Sequence, residues 1–337
     1  MKKSTKKMII GSGIAAAGAA AFTVAYCKLT EALVNVALDR KRPKASPKAA
    51  VKLSGSDGAA NRIDEKLAAA SEALKNCVCE TAEILSYDGV KLVGHLRRCD
   101  TEKRLIIAMH GWRSSWTNDF GAISDFWHEN GCSVLYAEQR GQGESGGEYM
   151  GFGLIERYDC LEWVKWANKN GYAGIPIYLC GISMGASTVL MAAGLELPEN
   201  VHGIMADCGY TSVHEIWKHV AEDNLRVSYK GIAATVADDM CRKKIRMGTK
   251  DYSTTDAMRV CRVPVLFIHG TDDRFVPVDM TYENYKACRS PKRLLVVPGA
   301  GHGMSYPTDK KAYEKTAKEF WKDFDGYNPE AYTEEGN

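Results

Sequence analysis

A mostly parallel β-sheet with helices on both faces is the fold class this sequence predicts, and two observations carry the prediction. From about residue 100 to residue 325, short apolar runs alternate with longer amphipathic segments, the rhythm of strand–helix–strand units. The runs are continuously apolar instead of alternating with polar residues, as suits strands buried on both faces. Sheets of this kind bind ligands at the carboxyl ends of their strands, so the residues that follow each run are the ones to read for chemistry.

Taken in order, residues 83–98 (EILSYDGVKLVGHLRR) predict two strands around the turn Asp88-Gly89. Buried strands follow at 105–109, 133–137, 177–180, 203–206, 265–268 and 294–297. Helices are expected near 119–130, 153–170, 184–196, 279–289 and 309–324. Residues 210–260 interrupt the rhythm with many charges and helical patches at 213–220 and 231–241. They predict one helix of the main fold and a small helical cap.

The region before the sheet reads differently. Lys2, Lys3, Lys6 and Lys7 precede an uncharged, Ala- and Gly-rich run over 8–26. A basic start followed by an apolar run has the layout of a signal peptide or a single membrane anchor. The lysines favour a cytoplasmic start and hence an extracytoplasmic domain. A second basic cluster at Arg40, Lys41, Arg42, Lys44 and Lys48 works against that orientation. Residues 40–60, with Pro43, Pro47, Gly55 and Gly58, predict a linker, and 61–76 an Ala-rich helix.

The 337 residues are enough for one large domain with a sizeable core. With 44 basic and 42 acidic residues, no charge excess points to nucleic acid. The eleven cysteines are odd in number and scattered. Cys132, Cys180 and Cys208 sit in apolar runs and read as small buried hydrophobes. That pattern does not suit an oxidising compartment. Cys77 and Cys79 have no second pair at zinc-site spacing, so no metal is expected.

The strand-end residues carry the chemistry. After the run at 177–180 comes Gly181-Ile182-Ser183-Met184-Gly185 and then a helical stretch. This is G-x-S-x-G between a strand and a helix, a sharp turn that lifts the serine above the sheet. A second match, Gly143-Glu144-Ser145-Gly146-Gly147, neither follows a strand nor opens a helix and reads as a loop. A serine hydroxyl needs a base, and the base needs an orienting acid. His302 sits in a loop just after the run at 294–297 and is the candidate base. His110 and His269 also end strands, each before a glycine. The acid should lie between Ser and His in the chain, where Asp272 and Asp273 compete. Asp207, which ends another strand, reads as a structural hydrogen-bonding group. Oxyanion donors are expected from the Met184 N–H and from the loop 110–115, where Trp112 is the candidate.

Together HGW (110–112), EQRGQGES (138–145), GISMG (181–185), DCGYTS (207–212), HGTDDRFVP (269–277) and GAGHGMSY (299–306) resemble the α/β-hydrolase superfamily. Within it they are similar to the membrane-anchored bacterial hydrolases grouped with serine aminopeptidase-like and Bem46-like proteins. The resemblance covers about residues 80–325. It leaves 1–27 as signal or anchor, 28–79 as linker and helical extension, and 326–337 as a tail. It implies an α/β-hydrolase fold with the acid of H-G-x-x-D-x-x-V-P on Asp273 and the histidine of G-x-x-H-x-M on His302. Glu138 replaces the Asp of the related D-x-R-G-x-G-x-S loop, which is structural. No cofactor is implied. The resulting expectation is a carboxylic ester or thioester hydrolase acting on a small-molecule acyl substrate, with a peptidase second and a non-catalytic binding protein third.

Overall fold

The computed structural model describes residues 21–41 and 61–327. Eight strands form one sheet: β1 (Glu80–Leu85), β2 (Lys91–Arg97), β3 (Arg104–Met109), β4 (Cys132–Ala137), β5 (Ile177–Ile182), β6 (Val201–Asp207), β7 (Val265–Gly270) and β8 (Lys292–Val297). Their order across the sheet is β1-β2-β4-β3-β5-β6-β7-β8. The β1–β2 and β2–β4 pairs are antiparallel and every other pair is parallel. This is the α/β-hydrolase fold that the sequence predicts.

All residues of β3, β4 and β7 are buried, and successive side chains serve opposite faces. On one face Leu105, Ile107, Leu135 and Phe267 pack with Trp163, Val164, Val189 and Leu190. These come from the helices Glu156–Ala167 and Met184–Ala192. On the other face Ile106, Ala108, Val134 and Leu266 meet Phe120, Ile123, Phe320 and Trp321, which belong to the helices Trp116–Glu129 and Lys310–Phe324. A strand covered twice has no polar side to show, which is why the runs read as continuously apolar.

Two expected helices are shorter than the sequence suggests. The one expected from residue 153 begins at Glu156, whose buried carboxylate accepts the N–H groups of Gly151 and Gly153 and holds them in a loop. The one expected to reach 196 stops at Ala192, where the Gly194 and Leu195 N–H groups turn back onto Met191 and Ala192 carbonyls. Within 210–260, Thr254–Val260 is the main-fold helix, its Ala257 and Met258 in the core. The helices Val213–His219 and Ile232–Ile245 make the cap.

The extension before the sheet joins this body. The helix Ala21–Leu38 buries Thr30, Val34, Val36 and Leu38. Val34 and Leu38 share an apolar cluster with Met184, Tyr210, Trp217 and Val276. The Arg113 guanidinium donates to the carbonyls of Val36 (2.7 Å) and Asp39 (2.6 Å), the Trp112 indole N–H to that of Ala37 (2.9 Å), and the Met150 N–H to that of Leu38 (2.7 Å). The helix Asn61–Lys75 lies on Trp116–Glu129, with Leu74 in its core and Ser71 Oγ donating to Asn118 Oδ1 at 2.9 Å. At the other end Tyr327 is buried and donates to the Arg262 carbonyl (2.7 Å), so the expected tail starts inside the fold. Most of the expected anchor (1–20), most of the linker (42–60) and residues 328–337 lie outside the described residues.

Leu38 is fully buried. Leu38→Ala is therefore expected to cost about 3 kcal/mol, read as a lower urea midpoint with unchanged slope. A segment merely tethered to the domain would show no change.

Candidate active site

Ser183 stands between β5 and the helix Met184–Ala192, with φ 56° and ψ −117°. This is a strained conformation for a residue with a side chain. Its neighbours leave no alternative. A Cβ on Gly181 would lie 2.3 Å from the Gly185 carbonyl carbon, and one on Gly185 would lie 1.8 Å from the Met109 carbonyl oxygen. The helix thus presses its first turn against β3, and the Ser183 N–H is held by the Asp207 carbonyl at 2.9 Å.

Three candidate residues meet above the sheet. Ser183 Oγ is 2.9 Å from His302 Nε2, and His302 Nδ1 is 2.7 Å from Asp273 Oδ2. Because an ionised carboxylate only accepts, Nδ1 carries the ring proton and Nε2 accepts from the serine. Asp273 Oδ1 accepts the Phe275 and Val276 N–H groups at 2.9 Å each. Burial alone would raise the Asp273 pKa. The His302 charge, with hydrogen bonds from His269, His302 and the Val276 N–H, outweighs it and holds the carboxyl well below the usual range. Asp272 is exposed and accepts from Thr271 Oγ1; of the two competing acids, only Asp273 touches His302.

Several residues set aside by sequence reasoning support this centre. His269 Nε2 lies 3.2 Å from Asp273 Oδ2 and 2.9 Å from the Val276 carbonyl, while Nδ1 meets Thr281 Oγ1 at 2.7 Å. It therefore holds the loop that carries the acid. Its four-residue spacing to Asp273 after a strand was the available signal. His110 is fully buried; its Nδ1 donates to the Gly111 carbonyl (2.8 Å) and its Nε2 accepts the Gln139 N–H (3.1 Å). Burial lowers its pKa and keeps it neutral. Asp119, unremarked in the sequence, takes the Gly111 N–H at 2.6 Å and the Ser114 hydroxyl at 2.5 Å. These contacts run the loop 110–112 beside the serine: a Cβ on Gly111 would be 3.5 Å from Ser183 Cβ. Cys208 is a buried thiol whose pKa burial pushes well up. Its sulfur lies within 4.8 Å of ligand atoms on Asp273 and His302.

The second G-x-S-x-G is accounted for by its contacts. Ser145 is fully buried, donates to the Glu138 carbonyl (2.6 Å) and accepts the Val93 N–H (2.9 Å). Glu138 in turn pairs with His95 at 3.1 Å. Asp207 accepts from Ser305 Oγ (2.7 Å), as its structural reading predicts. A cavity of about 500 Å³ opens over the centre, lined among others by Leu67, Trp112, Ser183, His302, Tyr306 and Tyr313.

Residues 118–325 match the prolyl oligopeptidase family, a match that spans more than half the chain and includes Ser183, Asp273 and His302. The chain belongs to that family. This prolyl oligopeptidase relative is also similar to YqkD of Bacillus subtilis, 30% identical over 67% of this chain and 73% of YqkD. To YfhR of Escherichia coli K12 it is 23% identical, over 66% of this chain and 73% of YfhR. Its fold is shared with an esterase of Pyrococcus furiosus at a TM-score of 0.60 and 21% identity, covering 74% of this chain and 92% of that one. Est1E of Butyrivibrio proteoclasticus, solved with ferulic acid bound, superposes at 0.58 with 20% identity, over 73% of this chain and all of that one. The chain is thus an α/β-hydrolase superfamily enzyme of hydrolytic type.

Burial raises the Asp207 pKa to about 6, against smaller lowering contributions from Ser305, His269 and His302. The folded state then holds this proton where the unfolded chain has lost it, so the group's contribution to stability falls as pH rises from about 4 to about 6. Asp207→Asn keeps the Ser305 acceptor. It is expected to leave the melting temperature unchanged at pH 4 and to stabilise by about 3 kcal/mol at pH 7.5, measured by thermal scans across that range.

Proposed function

We propose that this chain is a serine esterase that cleaves carboxylic esters or thioesters through an acyl-enzyme on Ser183. The observation that carries the reading is the unbroken line from Ser183 Oγ to His302 to the buried Asp273 carboxylate, at 2.9 and 2.7 Å. As Ser183 Oγ attacks the substrate carbonyl, its proton passes to His302 Nε2. Asp273 keeps the imidazole in the receptive tautomer and stabilises the imidazolium. The Trp112 and Met184 N–H groups receive the developing oxyanion. His302 then protonates the leaving alcohol or thiol. In the second step it takes a proton from water, which attacks the acyl-enzyme, and returns that proton to Ser183 Oγ as the acid is released.

A peptidase is the second reading, favoured by the family match itself. An aminopeptidase needs a carboxylate free to meet the substrate's amine. The two acids lining the cavity, Asp119 and Asp207, are both occupied: Asp119 by Gly111 and Ser114, Asp207 by Ser305. This argues for the ester.

Membrane attachment through the N-terminal segment fits the same picture. The helix Ala21–Leu38 is long and apolar enough to cross a membrane, and Phe22 and Val24 are exposed. From Thr30 onward it packs on the catalytic body, which leaves the exposed face before Thr30 for a membrane.

On p-nitrophenyl esters, Asp273→Asn is expected to lower kcat about 10³- to 10⁴-fold, while Asp272→Asn stays within about twofold of wild type, since its carboxylate meets no group of the triad. Equal losses in both would overturn the assignment of the acid. Assay of aminoacyl p-nitroanilides alongside the esters tests the peptidase. Faster anilide than ester turnover, lost in Ser183→Ala, would put the peptidase first.

A further inference from the structure

Beside the catalytic cavity lies a second, smaller one of about 100 Å³. One wall is the N-terminal helix, through Leu33, Val34 and Ala37; the opposite wall is the cap, through Trp217, Leu225 and Ala233. Trp112 and Phe275 line both cavities. The Phe275 ring stands 5.0 Å from the His302 ring, so the smaller cavity begins one side chain from the catalytic histidine.

We infer that this cavity is the acyl-chain site of the enzyme and takes one unbranched alkyl chain of the substrate, held between the N-terminal helix and the cap. The inference rests on the esterase reading and names its substrate class. No charged side chain lines the cavity. Thr30, one of its few polar groups, already donates to the Tyr26 carbonyl, while the Trp217 indole N–H and the Tyr229 hydroxyl are buried in its wall without a partner. A peptide or a sugar placed here would bury more N–H, C=O or O–H groups than these two atoms can satisfy. An alkyl chain has no such groups and gains from every methylene removed from water. Its volume of about 100 Å³ leaves room for a few methylenes and little for a ring-bearing acyl group that the larger catalytic cavity would admit.

The test uses the full chain and p-nitrophenyl esters from acetate to laurate. Wild type is expected to show kcat/KM rising about threefold per methylene until the cavity is full. Ala233→Phe and Val34→Phe, which narrow it from opposite walls, are expected to lower the laurate-to-acetate ratio at least fivefold. Because the readout is a ratio within one preparation, partial loss of folded protein does not imitate it. The same cavity is probed without turnover by 12-bromododecanoate, whose bromine quenches nearby indoles. Quenching is expected in Ser183→Ala and is expected to weaken in Trp217→Phe. Acetate turnover with a flat chain-length profile and no quenching would overturn the acyl-chain site and leave the esterase standing. Quenching without turnover of any ester would sustain the site and overturn the esterase.

Discussion

Between β5 and the helix Met184–Ala192 the backbone must reverse within one residue, and it does so only because nothing larger than hydrogen stands at Gly181 and Gly185. The helix can then lie against β3, and Ser183 is pushed into a conformation that side chains rarely adopt. The strain is held by the sheet beneath. β5 lies between β3, buried throughout, and β6, buried at all but one residue, so both its neighbours are packed into the core. The arrangement of the site follows. With the serine fixed above the sheet, the loops after β7 and β8 need only bring one acid and one histidine to it.

Electrostatics complete the arrangement. Burial disfavours a charged Asp273, yet two backbone N–H groups and two histidines face it. The carboxylate remains ionised and orients His302. Asp207, equally buried one strand away, has a single hydroxyl donor and is pushed towards its neutral form instead. The difference between the two acids lies in the donors each loop supplies.

The sheet and Ser183 were legible because each rests on a local pattern: continuous apolar runs, and a glycine-flanked serine at a strand end. The choice between Asp272 and Asp273 was not local. Both are acidic and adjacent, and the loop alone decides which one turns inward; a family pattern, not spacing, pointed to Asp273. The supporting roles of His269, His110 and Asp119 were hidden for the same reason, since their partners come from other loops. The fate of residues 28–41 was the least legible. Their composition suits an anchor or a tether, whereas the carbonyls presented to Arg113 and Trp112 and the packing of Val34 and Leu38 beside Met184 tie them to the site. That contact makes the N-terminal segment part of the catalytic body: a wall of the substrate cavity as well as a candidate route to a membrane.

Everything above the sheet turns on Ser183 acting as a nucleophile activated by His302. Labelling the full chain with a fluorophosphonate and mapping the adduct by peptide mass spectrometry tests it most directly. One adduct is expected, on the peptide carrying Ser183, and none in His302→Ala. An adduct on Ser145, or none on a folded protein, would contradict it.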